Sequence, residues 1–359
     1  MKKVIALLLV TALSLAAAAG CGGSALDSAQ VSEVQVSPAV DDIPASAPEE
    51  APKPEARIVN VGVSIYKFDD NFMTLYRNEI ERYFKELESD TVVYNVTILD
   101  AKGDQVVQTN QVDEFIEQGV DVMIINLVQS TSASTVTERV KAAGTPVVYI
   151  NREPSEDDMK AWDRICYVGA DARQSGTKQG EIICDLSDKG DIDGDGVVRY
   201  VMIMGDPECS GGQMHRTEFS IKALTDAGIV VDNLFQQRGD WEQSKGKELT
   251  ASALAQFGAT IDVVFCNNDG MAMGAIQAAK EAGCSVGDDI YLVGVDAIPE
   301  ALDAILAGDM TGTVLNDHIG QAQAAVDAAV RYVSDEHNDT YIWIDYVKIT
   351  AENVSKYMK

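Results

Sequence analysis

The sequence predicts an α/β protein of two similar lobes, each a parallel sheet with helices on both faces. Three observations lead there. Short apolar runs alternate with stretches of helical period, the alternation restarts beyond about residue 170, and polar residues stand where the apolar runs stop. Repeated βα units pair their strands in parallel and cover both faces with helices. At 359 residues the chain is too long for one ordinary core and suits two domains.

The chain opens with Lys2 and Lys3, then an apolar run from Val4 to Ala19 and Gly20-Cys21. This has the layout of a bacterial signal peptide over 1–20. Ala18-Ala19-Gly20-Cys21 resembles a lipobox, so Cys21 is the expected lipidated first residue. Secretion after Ala19 and an uncleaved anchor are the alternatives. Residues 21–57 then read as lipid anchor and flexible acidic tether, because they carry too little apolar surface to offset ordering entropy.

After the tether, apolar runs at 58–66, 92–99, 121–127 and 146–150 predict strands. Helical stretches at 72–88, 105–118 and 131–143 lie between them. In the first of these, Met73, Tyr76, Ile80, Tyr83, Phe84 and Leu87 recur at three- and four-residue steps. A helix over 171–187 starts the second series, with strands at 197–204, 229–235, 261–266, 290–295 and 311–315. No GxGxxG fingerprint follows the first strand.

Net charge is -29, which argues against nucleic-acid binding and against adsorption to an anionic membrane face. Besides Cys21 there are Cys166, Cys184, Cys209, Cys266 and Cys284, an odd set without CxxC. Cys166, Cys184 and Cys266 lie in apolar surroundings and read as buried thiols.

The loop Tyr66 to Met73 joins the first strand to the first helix, where ligands sit in open α/β sheets. Its carboxylate, amide and aromatic rings suit a neutral polyhydroxylated ligand. A capping Asp70 and a buried Phe72 would explain the same residues. Other polar residues end apolar runs: Asn151, Asn267-Asn268-Asp269, Asp296 and Asn316. Each could be a helix cap, the expected role of Asp269 and Asp317. Together they converge on one edge of the sheets, which fits a cleft that counts hydroxyl groups.

Several segments then resemble the periplasmic sugar-binding family with the type I solute-binding fold, in particular its glucose- and galactose-binding members. They are Ile65 to Met73, Ile125-Asn126-Leu127-Val128, Asn151-Arg152-Glu153-Pro154, Asn267 to Gly274, Gly294-Val295-Asp296-Ala297 and Gly312 to Asp317. The resemblance covers nearly all of the chain after the tether. It implies two Rossmann-like lobes joined by a three-strand hinge: 58–169 plus 317–345, and 170–316 plus 346–359. By position, Asp70 and Asn151 from the first lobe, and Arg216, Asn268, Asp296 and Asn316 from the second lobe or its hinge, would hydrogen-bond sugar hydroxyls. Phe72 and Trp241 would stack on opposite faces of the ring. One loop departs from the pattern. Where the family reads Gly-His-Pro-Asp or similar, this chain has Glu208 to His215, with Glu208 or Gln213 as candidate substitutes.

Asp191-Ile192-Asp193-Gly194-Asp195-Gly196-Val197 matches the start of a calcium loop, with oxygen ligands at positions 1, 3 and 5 and Gly at 6. Met202 replaces the Glu at position 12. The resemblance supplies Asp262 as the distant carboxylate and includes Val197 in the set, so a structural Ca²⁺ is expected. Position 9 is Arg199, whose charge opposes a cation, and a solvated acidic turn is the alternative.

The expected function is an exported, lipid-anchored binding protein on the outer face of the bacterial membrane. As a monomer it would deliver a glucose- or galactose-like monosaccharide to an ABC permease by closure of its lobes. A sensor presenting sugar to a chemoreceptor or kinase, or a binder of a pentose, is the alternative. No nucleophile elbow or metal-hydrolase motif points to an enzyme, and His215, His318 and His337 form no constellation. The export signal and the lack of a DNA-binding headpiece argue against a repressor.

Overall fold

The computed structural model describes residues 55–207 and 210–358. The signal segment, Cys21, most of the tether, Glu208 and Cys209 lie outside the described residues. The first series runs β1 (Arg57–Ile65), α1 (Asn71–Glu86), β2 (Val92–Asp100), α2 (Gln105–Gln118), β3 (Val122–Ile125), α3 (Ala133–Ala143), β4 (Val147–Ile150), the single turn α4 (Glu156–Met159) and β5 (Ile165–Gly169). The second runs α5 (Ala172–Cys184), β6 (Val198–Met204), α6 (Ser210–Asp226), β7 (Val231–Arg238), α7 (Gln243–Phe257), β8 (Val263–Cys266), α8 (Asp269–Ala282), β9 (Tyr291–Val293), α9 (Pro299–Ala307) and β10 (Gly312–Leu315). The chain ends with α10 (His318–Val333), β11 (Tyr341–Trp343) and β12 (Val347–Thr350).

Two six-stranded sheets result, in the orders β11-β5-β4-β3-β1-β2 and β12-β10-β9-β8-β6-β7. Every pairing is parallel except β10 with β12. The α/β fold of two parallel-dominated sheets read from the alternation is therefore the fold observed. β5, β11 and β12 go beyond the strands read from the sequence. The chain passes from one sheet to the other three times: after Gly169, after Leu315 and after Trp343.

The central strands β3, β4 and β8 are buried along their whole length, as doubly covered parallel strands must be. On the first sheet, Tyr76, Ile80 and Phe84 of α1 join Ala325, Val326 and Ala329 of α10 on one face. Phe115 of α2 and Val136 and Val140 of α3 cover the other. On the second sheet, Ile182 and Ile183 of α5 and Leu224 of α6 pack on one face. Leu254, Met271, Ile276 and Leu302, from α7 to α9, pack on the other. Strand order reverses between β1 and β3 in one sheet and between β6 and β8 in the other. Those two switch points are where the fold leaves a crevice at the carboxyl ends of its strands.

Candidate functional site

At the first switch point, the chain leaves β1 through Tyr66 and reaches Asp70, the N-cap of α1. Asp70 Oδ1 accepts the Met73 N–H at 2.7 Å and Oδ2 accepts the Tyr66 hydroxyl at 2.6 Å. The cap reading of Asp70 is thus correct, and each oxygen still has acceptor capacity. Phe72 sits in the first turn of α1, buried and edge-on to Tyr76 at 5.9 Å. At the end of β4, Asn151 adopts φ +60°, a left-handed conformation that Asn tolerates. The buried Asn126, past the end of β3, donates to Asn151 Oδ1 at 3.1 Å and leaves the Asn151 NH2 end to donate elsewhere. The Tyr167 hydroxyl holds the Asn151 carbonyl at 2.9 Å. Arg152 lies with its guanidinium 3.8 Å from the centre of the Tyr66 ring and donates to the Val128 carbonyl.

At the second switch point, β6 ends at Met204 and β8 at Cys266, followed by Gly205 and Asn267. Asn268 caps α8 by accepting the Met271 N–H at 2.9 Å, and its amide donates to the Trp241 carbonyl at 3.3 Å. The expected cap, Asp269, is instead buried one residue further on. It accepts the Thr313 hydroxyl at 2.7 Å and the Ile298 N–H at 3.1 Å, tying α8 to β10 and α9. Asp317 does cap α10, through the Gly320 N–H at 2.9 Å.

Arg216 is in the second turn of α6, buried. It donates to the Asn267 carbonyl at 2.6 Å and the Tyr346 hydroxyl at 3.2 Å, and its guanidinium lies 3.6 Å from Asp296 and 5.6 Å from the Trp241 ring centre. Asp296 accepts from Asn316 at 3.2 Å, and Asn316 in turn accepts from Gln321 at 2.6 Å. Burial pushes the Asp296 carboxyl up to about 8 against the opposing pull of Arg216, and pushes Asp269 up to about 6. Trp241 has φ +68° and lies against Gly205, where an added Cβ would come within 2.0 Å of the indole.

All eight residues singled out in the sequence line one cleft: Asp70, Phe72, Asn151, Arg216, Trp241, Asn268, Asp296 and Asn316. Sequence reasoning gave no individual ligand role to Tyr66, Arg152, Glu153, Tyr167, Gln321 and Tyr346, which line it too. The first three adjoin Asp70 and Asn151 in chain, which was the available signal. Gln321 and Tyr346 follow the second and third sheet crossings and have no local signature. Gln213, a candidate substitute in the departing loop, donates to Met204 Sδ at 3.3 Å and Thr217 at 3.5 Å, and Gly212 meets the cleft in its place.

In the acidic loop, carboxylate oxygens of Asp191, Asp193 and Asp262 come within 4.8 Å of one another. Asp195 does not join them as the sequence suggested. Its Oδ2 is held by Arg199 Nη2 at 2.6 Å and its Oδ1 accepts the Val197 N–H at 3.0 Å. Asp262 is buried and accepts the backbone N–H groups of Ile192 and Arg199 at 3.2 and 2.7 Å.

Residues 61–337 match the model of a periplasmic binding protein domain. A D-galactose/methyl-galactoside binding periplasmic protein of Haemophilus influenzae is 33% identical over 312 residues, covering 83% of this chain and 92% of that protein. A putative rhizopine-binding protein of Rhizobium meliloti is 34% identical, covering 84% and 93%. Among solved structures, an ABC transporter solute binding protein from Bacillus halodurans with bound myo-inositol superposes with TM-score 0.73 at 30% identity, covering 83% of this chain and 96% of that one.

Proposed function

This chain belongs to the periplasmic binding protein family and is a sugar-binding protein of the ABC-transporter type, and we propose that its ligand is a hexopyranose, glucose or galactose. The family places it outside the cytoplasm, and its relatives bind solutes rather than transform them. The observation that carries the ligand class is the composition of the cleft: Asp70, Asn151, Arg216, Asn268, Asp296 and Asn316 with one aromatic ring from each side, Phe72 and Trp241. Carboxylates and amides pair with hydroxyls of either direction, and rings cover the C–H faces of a pyranose. Closure about the three sheet crossings then presents sugar to a membrane permease, because a ligand that touches both lobes favours the closed state. Lipidation at Cys21 would hold the protein at the membrane beside that permease.

A cyclitol is the second reading. It is supported by Gly212, which meets the cleft where the resemblance would put polar loop residues, and by the myo-inositol in the Bacillus halodurans relative. Calorimetric titration with glucose, galactose, xylose and myo-inositol separates the cases. A hexose as the tightest of the four is the expected result. Binding of myo-inositol or xylose alone would sink the hexose assignment.

A further inference from the structure

We infer that the guanidinium of Arg199 occupies the role of the cation in the acidic loop, so that the loop closes without calcium. Three carboxylates gather there, Asp191 and Asp193 from the loop and Asp262 from just before β8, with Asp195 turned toward Arg199 beside them. Packed together without a positive charge they would repel one another. The positive charge comes from position 9 of the same loop. Arg199 Nη2 binds Asp195 Oδ2 at 2.6 Å, and its Nη1 is 3.9 Å from Asp193 Oδ2. The Arg199 side chain is 20% exposed and its partners Asp193 and Asp195 are 49% and 41% exposed, so solvent and salt screen these contacts in part.

The other loop carboxylates also accept loop amides, which hold the turn in shape. Asp191 accepts Gly194 and Gly196 N–H at 3.0 and 2.9 Å, and Asp193 accepts Asp195 N–H at 3.1 Å. Asp262 stands beside Asp191 and Asp193, with its two oxygens accepting the Ile192 and Arg199 N–H groups at 3.2 and 2.7 Å. Calcium requires six to eight oxygens at about 2.3–2.6 Å. Here three carboxylates can approach one point, the fourth is drawn off by Arg199, and a dication would face a guanidinium across the same few ångströms. The residues present fit an internal cation better than a bound one.

Thermal unfolding of the whole protein tests this, with chelator or with millimolar calcium, for the wild type and for Arg199→Gln. The wild-type melting temperature should be the same in both conditions. Arg199→Gln removes the charge and offers an amide oxygen in its place. It should melt several degrees lower in chelator and recover with calcium, because a metal that binds only the folded state stabilises it. Calcium binding by each protein, followed by calorimetry, should appear only in the variant. A calcium-dependent rise in the wild type would overturn the inference, and so would a variant indifferent to calcium.

Discussion

At the scale of single residues, the cleft is built by side chains whose backbone is held in uncommon conformations. Asp240 and Trp241 both have positive φ, at +52° and +68°. Arg238 and Lys245 clamp the Asp240 carboxylate and keep the turn in place. The indole then rests in the space that Gly205 leaves by lacking a Cβ. Gly205→Ala should therefore displace the indole and weaken sugar binding roughly tenfold, the effect of losing about 1.5 kcal/mol of aromatic contact, with the circular dichroism spectrum unchanged. Trp241→Ala is the reference variant. If both retain wild-type affinity by calorimetry, the indole does not cover the ligand. Trp241 was legible through its position in the family resemblance, and its polar neighbours Asp240 and Glu242 make simple core burial a poor account of it. Tyr346 was not, since a buried tyrosine that supports an arginine from a distant helix looks like any core tyrosine until Arg216 is placed beside it.

At the scale of elements, two helix pairs approach closely enough that only glycine fits between them. On α5, a Cβ at Gly176 would lie 2.8 Å from the carbonyl oxygens of His215 and Arg216, and one at Gly180 would lie 2.3 Å from that of Ser220. On α8, a Cβ at Gly274 would lie 2.0 Å from the Gln243 carbonyl of α7. The first contact matters to the site, because α6 carries Arg216. Gly176→Ala should cost about 1–3 kcal/mol of stability by overpacking and should also weaken sugar binding as α6 shifts. Urea unfolding and calorimetry check the two effects, and a variant less stable but of unchanged affinity would show that the helix can move without carrying Arg216 off its partners. Long periodic helices such as α1 and α2 were legible because their apolar residues repeat over three or more turns. β5, β11 and β12 were not read, although β3, β4 and β8 are as short; β11 and β12 lie at sheet edges and pair only once the other strands exist. The acidic loop was legible as a pattern, whereas the turn of Asp195 toward Arg199 depends on a side-chain rotamer that spacing does not encode.

At the scale of the whole molecule, the three sheet crossings and the cleft share one polar chain. Gln321 on α10 donates to Asn316 in the second crossing, Asn316 to Asp296, and Arg216 links Asp296 to Tyr346 in the third crossing. Tyr346 in turn donates its N–H to Gln174 on α5, just past the first crossing, at 2.5 Å. Across the mouth of the cleft, Lys67 reaches Glu242 at 3.7 Å. Asp296 stands at the centre of this chain, and its burial has a cost for the entire fold. In the unfolded chain an Asp ionises near pH 4, whereas folded Asp296 keeps its proton to about 8. Between those values the native state binds the extra proton, so stability falls as pH rises. Asp269, held near 6, adds to the same slope only at the acid end of the range. His215, whose pKa burial lowers, acts oppositely, because the unfolded chain takes up the proton that the folded imidazole declines. Comparing wild type with Asp296→Asn isolates the one carboxyl, since the variant keeps an acceptor for Asn316 and leaves every other titrating group in place. In sugar-free urea unfolding at pH 6, 7 and 8, the wild type should lose up to about 1.4 kcal/mol per pH unit relative to the variant, whatever the absolute stability of either. Parallel profiles would mean that Asp296 is already ionised in the folded protein at pH 6, with the Arg216 pairing outweighing burial, and the cleft would then offer its ligand a full carboxylate at every physiological pH.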